Sequence, residues 1–231
     1  MRRTLPVLLS ALLVSACGVG DEGGGGDGDG QGDGDGDGDG DGDGDGTERE
    51  CAAAASMGSL ADAAGTGERH NQSGSMGARQ WYRGSMKIVD EALPDFLALE
   101  LYDDYGPFAG GDVAPGTYEI GAEDAAVDTC GICAYVYVDV DEGTGNAAEL
   151  YLAQSGTVVI EQVEPEIVGS ISGATFAELD PVEEALVTGG CDTTLEDVAY
   201  TVALTCYGSG GEDGGGGGGG GGGTPVECGD I

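Results

Sequence analysis

The sequence predicts an all-β fold: an antiparallel β-sandwich of about eight strands, with a β-barrel as the alternative. Three observations predict it. Residues 79–207 break into short apolar stretches separated by Gly, Pro, Asp and Asn turns. Many of those stretches alternate apolar and polar residues with a period of two. Their number and spacing, roughly eight in about 130 residues, suit two packed antiparallel sheets or one closed sheet.

The first strand is expected over 81–89, "WYRGSMKIV". In "FLALELY", Leu97, Leu99 and Leu101 share one face while Ala98, Glu100 and Tyr102 share the other. A short strand follows over 117–120. In "AYVYVDV", Ala134, Val136, Val138 and Val140 oppose Tyr135, Tyr137 and Asp139. Two further strands are expected over 150–153 and 157–163. A long one over 167–179 holds Gly169 and Gly173, which mark bulges or bends. The last, "VAYTVALTC", sets Val198, Tyr200, Val202, Leu204 and Cys206 on one face. Each pattern is that of a half-buried antiparallel strand.

Outside that domain the chain turns simple. Residues 47–78 are small and polar apart from an Ala-rich patch with the composition of one short helix, and they read as a lead-in. After Tyr207 come ten consecutive glycines at 214–223 and a closing "TPVECGDI". At the other end, Gly and Asp alternate through 26–46. Such a tract has no apolar surface to bury, much backbone entropy to lose and mutual repulsion between side chains, so a disordered spacer is expected. As a flexible coil, residues 21–46 would reach about 28 Å. "DGDGDG" matches the start of an EF-hand loop, but the bidentate Glu at its twelfth position is missing.

Met1, Arg2 and Arg3 precede an apolar run over 5–14 that is too short to span a bilayer and has the form of a signal peptide. The run ends in "VSAC", small residues before Cys17, and resembles a bacterial lipoprotein signal. That resemblance implies cleavage after residue 16, with Cys17 as the lipid-bearing first residue of the mature chain. Gly18 rather than Asp follows, which favours the outer over the inner membrane. Several acyl chains, each contributing about 0.8 kcal/mol per buried methylene, make such an anchor durable. The expected partner is therefore a membrane, held through lipid rather than spanned, with the folded domain periplasmic or surface-exposed.

Charge narrows the classes further. The net charge is −37, every Lys and Arg lies at or before Lys87, and residues 88–231 carry 29 acids. Nucleic acid and anionic headgroups are repelled, cations are attracted, and the excess suits salty water. With Cys17 set aside, Cys51, Cys130, Cys133, Cys191, Cys206 and Cys228 form an even set. In an exported chain this favours disulfides, although six cysteines permit 15 pairings and the sequence does not choose among them.

The lipoprotein signal, the Gly/Asp spacer and a Cys-containing β domain with "LPDFLALELYDDYGPF" and "CGICAYVYVDVD" together resemble a group of lipoproteins of myxobacteria and their relatives. The resemblance implies a location and supplies no catalytic residue.

Chemistry has few footholds. "CGIC" is followed at once by a strand pattern, so Cys130 lacks the helix N-terminus that activates a redox thiol, and a structural bridge is expected. Zinc would need a second close ligand pair. The one histidine, His70, lies in the polar stretch "GERHNQSGS" and reads as a surface loop, which removes Ser-His-Asp and Cys-His catalysis. A carboxylate pair could still hydrolyse glycosides, but among so many acids no pair stands out. No cofactor is expected, and no enzyme. Calcium is the metal that suits the acidic loops, through Asp139, Asp141 and Glu142 in "DVDEGTGN" and Asp103, Asp104 and Asp112 in "YDDYGPFAGGD"; a hairpin turn explains the first stretch equally well. Tyr135, Tyr137 and Tyr151 offer an aromatic platform for a glycan, or ordinary cross-strand packing. The expected function is that of a non-catalytic envelope lipoprotein with an interaction or structural role toward a protein or glycan, with a calcium- or glycan-binding module as the alternative.

Overall fold

A computed structural model describes residues 49–74, 77–207, 225–226 and 228. The signal peptide, Cys17, the Gly/Asp spacer and most of the glycine-rich tail lie outside the described residues. The described chain is all-β, with one 3₁₀ turn at Gly106–Phe108 and strands β1 Ser59–Gly74, β2 Gly77–Val89, β3 Asp95–Tyr102, β4 Gly116–Glu119, β5 Ile132–Val138, β6 Glu149–Gln162, β7 Glu166–Asp180, β8 Ala185–Leu186, β9 Asp192–Tyr207 and β10 Pro225–Val226.

The barrel forms rather than the sandwich. Seven strands run β9-β1-β2-β3-β5-β6-β7, and β7 pairs with β9 to close the ring. Every pairing is antiparallel except β1 with β9, so the sheet is mixed. The strand that closes the ring comes from the stretch read as a lead-in. Without β1 the edges of β2 and β9 would stay open and the ring would not close. β1 carries no apolar alternation because its inward positions include Gly65, Gly67 and Arg69. A Cβ at Gly67 would lie 2.7 Å from Val202 and 3.1 Å from Leu204, whose side chains fill that part of the interior. The Ala-rich patch is thus partly strand and not a helix.

Other expectations shift by small amounts. The strands expected over 150–153 and 157–163 are one strand, β6, with register breaks near Ser155. Gly156 (φ 139°) and Gly173 (φ 57°) face this break and supply the backbone conformation that a bulge needs. Gly169 is not a bend. It sits in regular pairing where a Cβ would fall 1.9 Å from the Val159 carbonyl oxygen and 2.7 Å from the Tyr200 hydroxyl.

The interior holds the main core, including Tyr82, Met86, Leu101, Val136, Tyr151, Ile171, Phe176 and Val202. A smaller cluster packs on the outside of β3, β5, β6 and β7, where Val127 and Cys130 of the 120–131 loop cover Cys133, Tyr135, Leu152 and Leu179. Asp124 fixes that loop by accepting N–H bonds from Gly131 at 3.0 Å and Ile132 at 3.1 Å. The six cysteines pair as Cys51–Cys191, Cys130–Cys133 and Cys206–Cys228. The first ties the approach to β1 to the start of β9, and the last holds β10 against the end of β9.

Candidate interaction surfaces

The upper end of the barrel is taken as the end where β3 finishes and β5 begins; the lower end is where β5 finishes and β6 begins. The six acids considered for calcium divide between these ends. Asp103, Asp104 and Asp112 lie on the upper loop after β3, and Asp139, Asp141 and Glu142 lie on the lower turn after β5, a whole strand away. They do not form one ligand set. Asp103 is buried and accepts N–H bonds from Val113 at 2.8 Å and Gln80 at 2.9 Å. Burial raises its pKa while those two N–H groups oppose the rise. In the lower turn, Asp141 Oδ1 accepts N–H bonds from Gly143 at 2.8 Å and Thr144 at 3.3 Å, which hold its carboxyl below the usual range. Asp141 also bridges to Asn146, and Asp139 takes a left-handed backbone (φ 52°) while its N–H donates to Asp95. Hairpin chemistry therefore accounts for "DVDEGTGN".

His70 is not in a surface loop. It lies in β1, faces outward, and stacks between Trp81 at 4.1 Å and Tyr207 at 4.9 Å, with its Nε2 2.9 Å from Glu68 Oε2. Register places Tyr207, His70, Trp81 and Tyr102 in one row across β9, β1, β2 and β3. Arg83 lies 5.4 Å from the Trp81 ring and donates to Glu100 at 2.7 Å. Because His70 and Trp81 cover each other's faces, the row stiffens the wall and offers edges rather than a stacking platform. The platform expected from Tyr135, Tyr137 and Tyr151 does not form either. Tyr151 points into the core, Tyr135 is buried under the 120–131 loop, and Tyr137 is half-buried. Burial chiefly, with the Glu100 charge, pushes the Tyr137 phenol up to about 12.

At the lower end a cleft of about 260 Å³ opens between the turn 139–148 and the β7–β8 hairpin. Tyr137, Leu150, Leu179 and Val187 form apolar walls, and Glu149, Glu178 and Asp180 add carboxylates. Glu149, Glu178 and Cys191 bring potential ligand atoms within 4.8 Å of one another, but the Cys191 sulfur is bonded to Cys51 and is not a thiolate. Both glutamates serve the fold. Glu149 accepts from Ala52 N–H at 3.0 Å and from the Tyr151 hydroxyl, and Glu178 accepts from Cys191 N–H at 3.0 Å. Together with the disulfide they fasten the approach to β1.

No family model, curated protein or solved structure matches this chain. The cleft and the aromatic row were missed in the sequence because each is assembled from strands far apart in the chain. The alternating "RQWYRGSMK", with Trp81, Arg83 and Lys87 on one face, was the one local signal of a patterned outer wall.

Proposed function

We propose that the chain is a lipid-anchored, non-catalytic protein of the cell envelope, which carries a disulfide-stapled barrel on an acidic spacer as an interaction module. The observation that carries the reading is the filled interior. Tyr82, Tyr151, Phe176 and the aliphatic core occupy the barrel, so binding falls to its outer surface and rims. The polar groups with the strongest claim to chemistry are engaged in the fold: His70 is stacked, Asp103 and Asp124 accept backbone N–H bonds, and Arg83 is paired with Glu100. Anchoring rests on the signal and "VSAC", and the three disulfides suit an oxidising compartment. The test is Cys17→Ser in cells fed labelled fatty acid. The native chain is expected to take up label and sediment with membranes, and the variant to lose both. Equal labelling of the two chains would overturn the anchor.

A further inference from the structure

The lower cleft differs from the rest of the barrel surface in one respect. Leu93, Val182 and Leu186 are the large apolar side chains exposed among the described residues, at 47%, 85% and 43%, and all three lie at the lower end. Scattered apolar exposure, such as that of Leu93, is ordinary, but two such side chains on one short hairpin that borders a cleft are not. Val182 and Leu186 belong to the β7–β8 hairpin, whose Pro181 and Val187 line the cleft itself. The volume falls just under the roughly 300 Å³ at which small-molecule sites begin, so it suits one long side chain better than a whole metabolite.

The chemistry of the occupant follows from the walls and the rim. An anion would meet Glu149, Glu178 and Asp180. A bare metal ion would make no use of Tyr137, Leu150, Leu179 and Val187. A lysine or arginine side chain uses both, since it lays an aliphatic stem on apolar surface and keeps its charged head beside the negative charge of these carboxylates, which at the same time accept N–H bonds from Ala52, Cys191 and Val182. The field of a chain with net charge −37 concentrates such a partner near the rim.

We propose that the cleft between the turn 139–148 and the β7–β8 hairpin docks a basic side chain of a partner polypeptide, whose neighbouring apolar residue packs on Val182 and Leu186. This rests on the reading of the barrel as an interaction module, and it names the partner class as a basic, partly apolar peptide segment. Complementary charge supplies the encounter rate, and the apolar contact supplies the residence time.

The test is methyl NMR of the mature chain titrated with the acetylated peptide amide Lys-Val-Lys-Val-Lys, in about 0.5 M NaCl, where the Debye length is only a few ångströms and diffuse attraction is screened. Saturable shifts are expected at Leu150, Leu179, Val182, Leu186 and Val187. The same peptide with Ser in place of Val should bind at least about fivefold more weakly, the loss of about 1 kcal/mol of apolar contact. Val182→Ser with Leu186→Ser should weaken the original peptide equally, and because both side chains are exposed the melting temperature should hold. Shifts spread over all acidic surfaces and lost in salt would show diffuse attraction and overturn the site. Shifts confined to the Trp81 wall would overturn the site while leaving the module reading standing. Absence of binding would overturn it as well.

Discussion

At the residue scale the sharpest energetic statement concerns Arg69. Its guanidinium is 4% exposed inside the upper barrel, 2.8 Å from Glu164 Oε1, which also accepts from the Tyr82 hydroxyl at 3.1 Å. Arg69 Nε and Asn71 Oδ1 are buried on the same strand with no protein hydrogen-bond partner. A charge placed there has lost its water and regained only part of it from Glu164, so the pair contributes little net stability while each partner depends on the other. Glu164→Ala is expected to cost about 3 kcal/mol in urea unfolding, because it strands the guanidinium. The double change Arg69→Met with Glu164→Ala should recover at least half of that loss. A double variant as unstable as the single one would show that the cost is packing and not charge. Burial and the Glu164 charge also raise the Tyr82 phenol well above its ordinary value.

At the element scale the disulfides rank by the chain each one closes. Cys51–Cys191 spans 140 residues, Cys206–Cys228 spans 22 and Cys130–Cys133 spans 3. Loop-closure entropy of the unfolded chain then gives about 5, 3 and 2 kcal/mol. Pairwise Cys→Ala replacement followed by urea unfolding should lower stability in that order, and an equal loss at all three would mean that native packing rather than unfolded-state entropy sets it. The same elements show why the sequence was only partly legible. β9 has one face in the core and one outside, whereas β3 and β5, expected to be half-buried, are buried on both faces because the 120–131 loop covers their outer side; the period-two patterns of all three still name the inward residues, from Leu97 and Val136 to Val202. β1 could not be read. Its inward glycines make room for Val202 and Leu204 of its neighbour, so the apolar residues that complete its packing stand on another strand. Missing β1 meant missing the closure, and with it the aromatic row through His70 and the fastening of Cys51. The even cysteine count announced bridges, yet their pairing depends on that closure. The cleft walls, drawn from residues 137 to 187, have no local pattern at all.

At the scale of the whole molecule, stability is governed by charge of one sign. Folding draws acids together around the barrel, and the five basic residues between Arg49 and Lys87 offset few of them. Salt shortens the range of that repulsion from about 10 Å at 0.1 M to about 3 Å at 1 M. The melting temperature is therefore expected to rise by several degrees over that range, equally in NaCl and KCl. Acid should act in the same direction, and the sign can be traced through particular groups. Asp95 and Asp103 have folded pKa values raised above 3.8, chiefly by burial, so the native state holds their protons more tightly than the unfolded chain does. Stability from these groups is gained as pH falls through their folded values and lost as it rises. Asp141 and Asp180 are lowered by backbone N–H bonds, so their contribution is present above 3.8 and disappears as pH falls through their depressed values. The raised pair gains as pH falls towards 3.8 and the lowered pair loses only below it, so these four groups together contribute most on the acid side of neutrality. A calorimetric series across pH at low salt should show the melting temperature rising on mild acidification and falling below about pH 4. In about 1 M NaCl the rise should shrink, since repulsion is already screened, leaving the part owed to burial of Asp95 and Asp103. A melting temperature that is flat in salt and falls steadily on acidification would mean that the acids are held by favourable local bonds throughout. The self-repulsion assigned to the barrel would then be wrong.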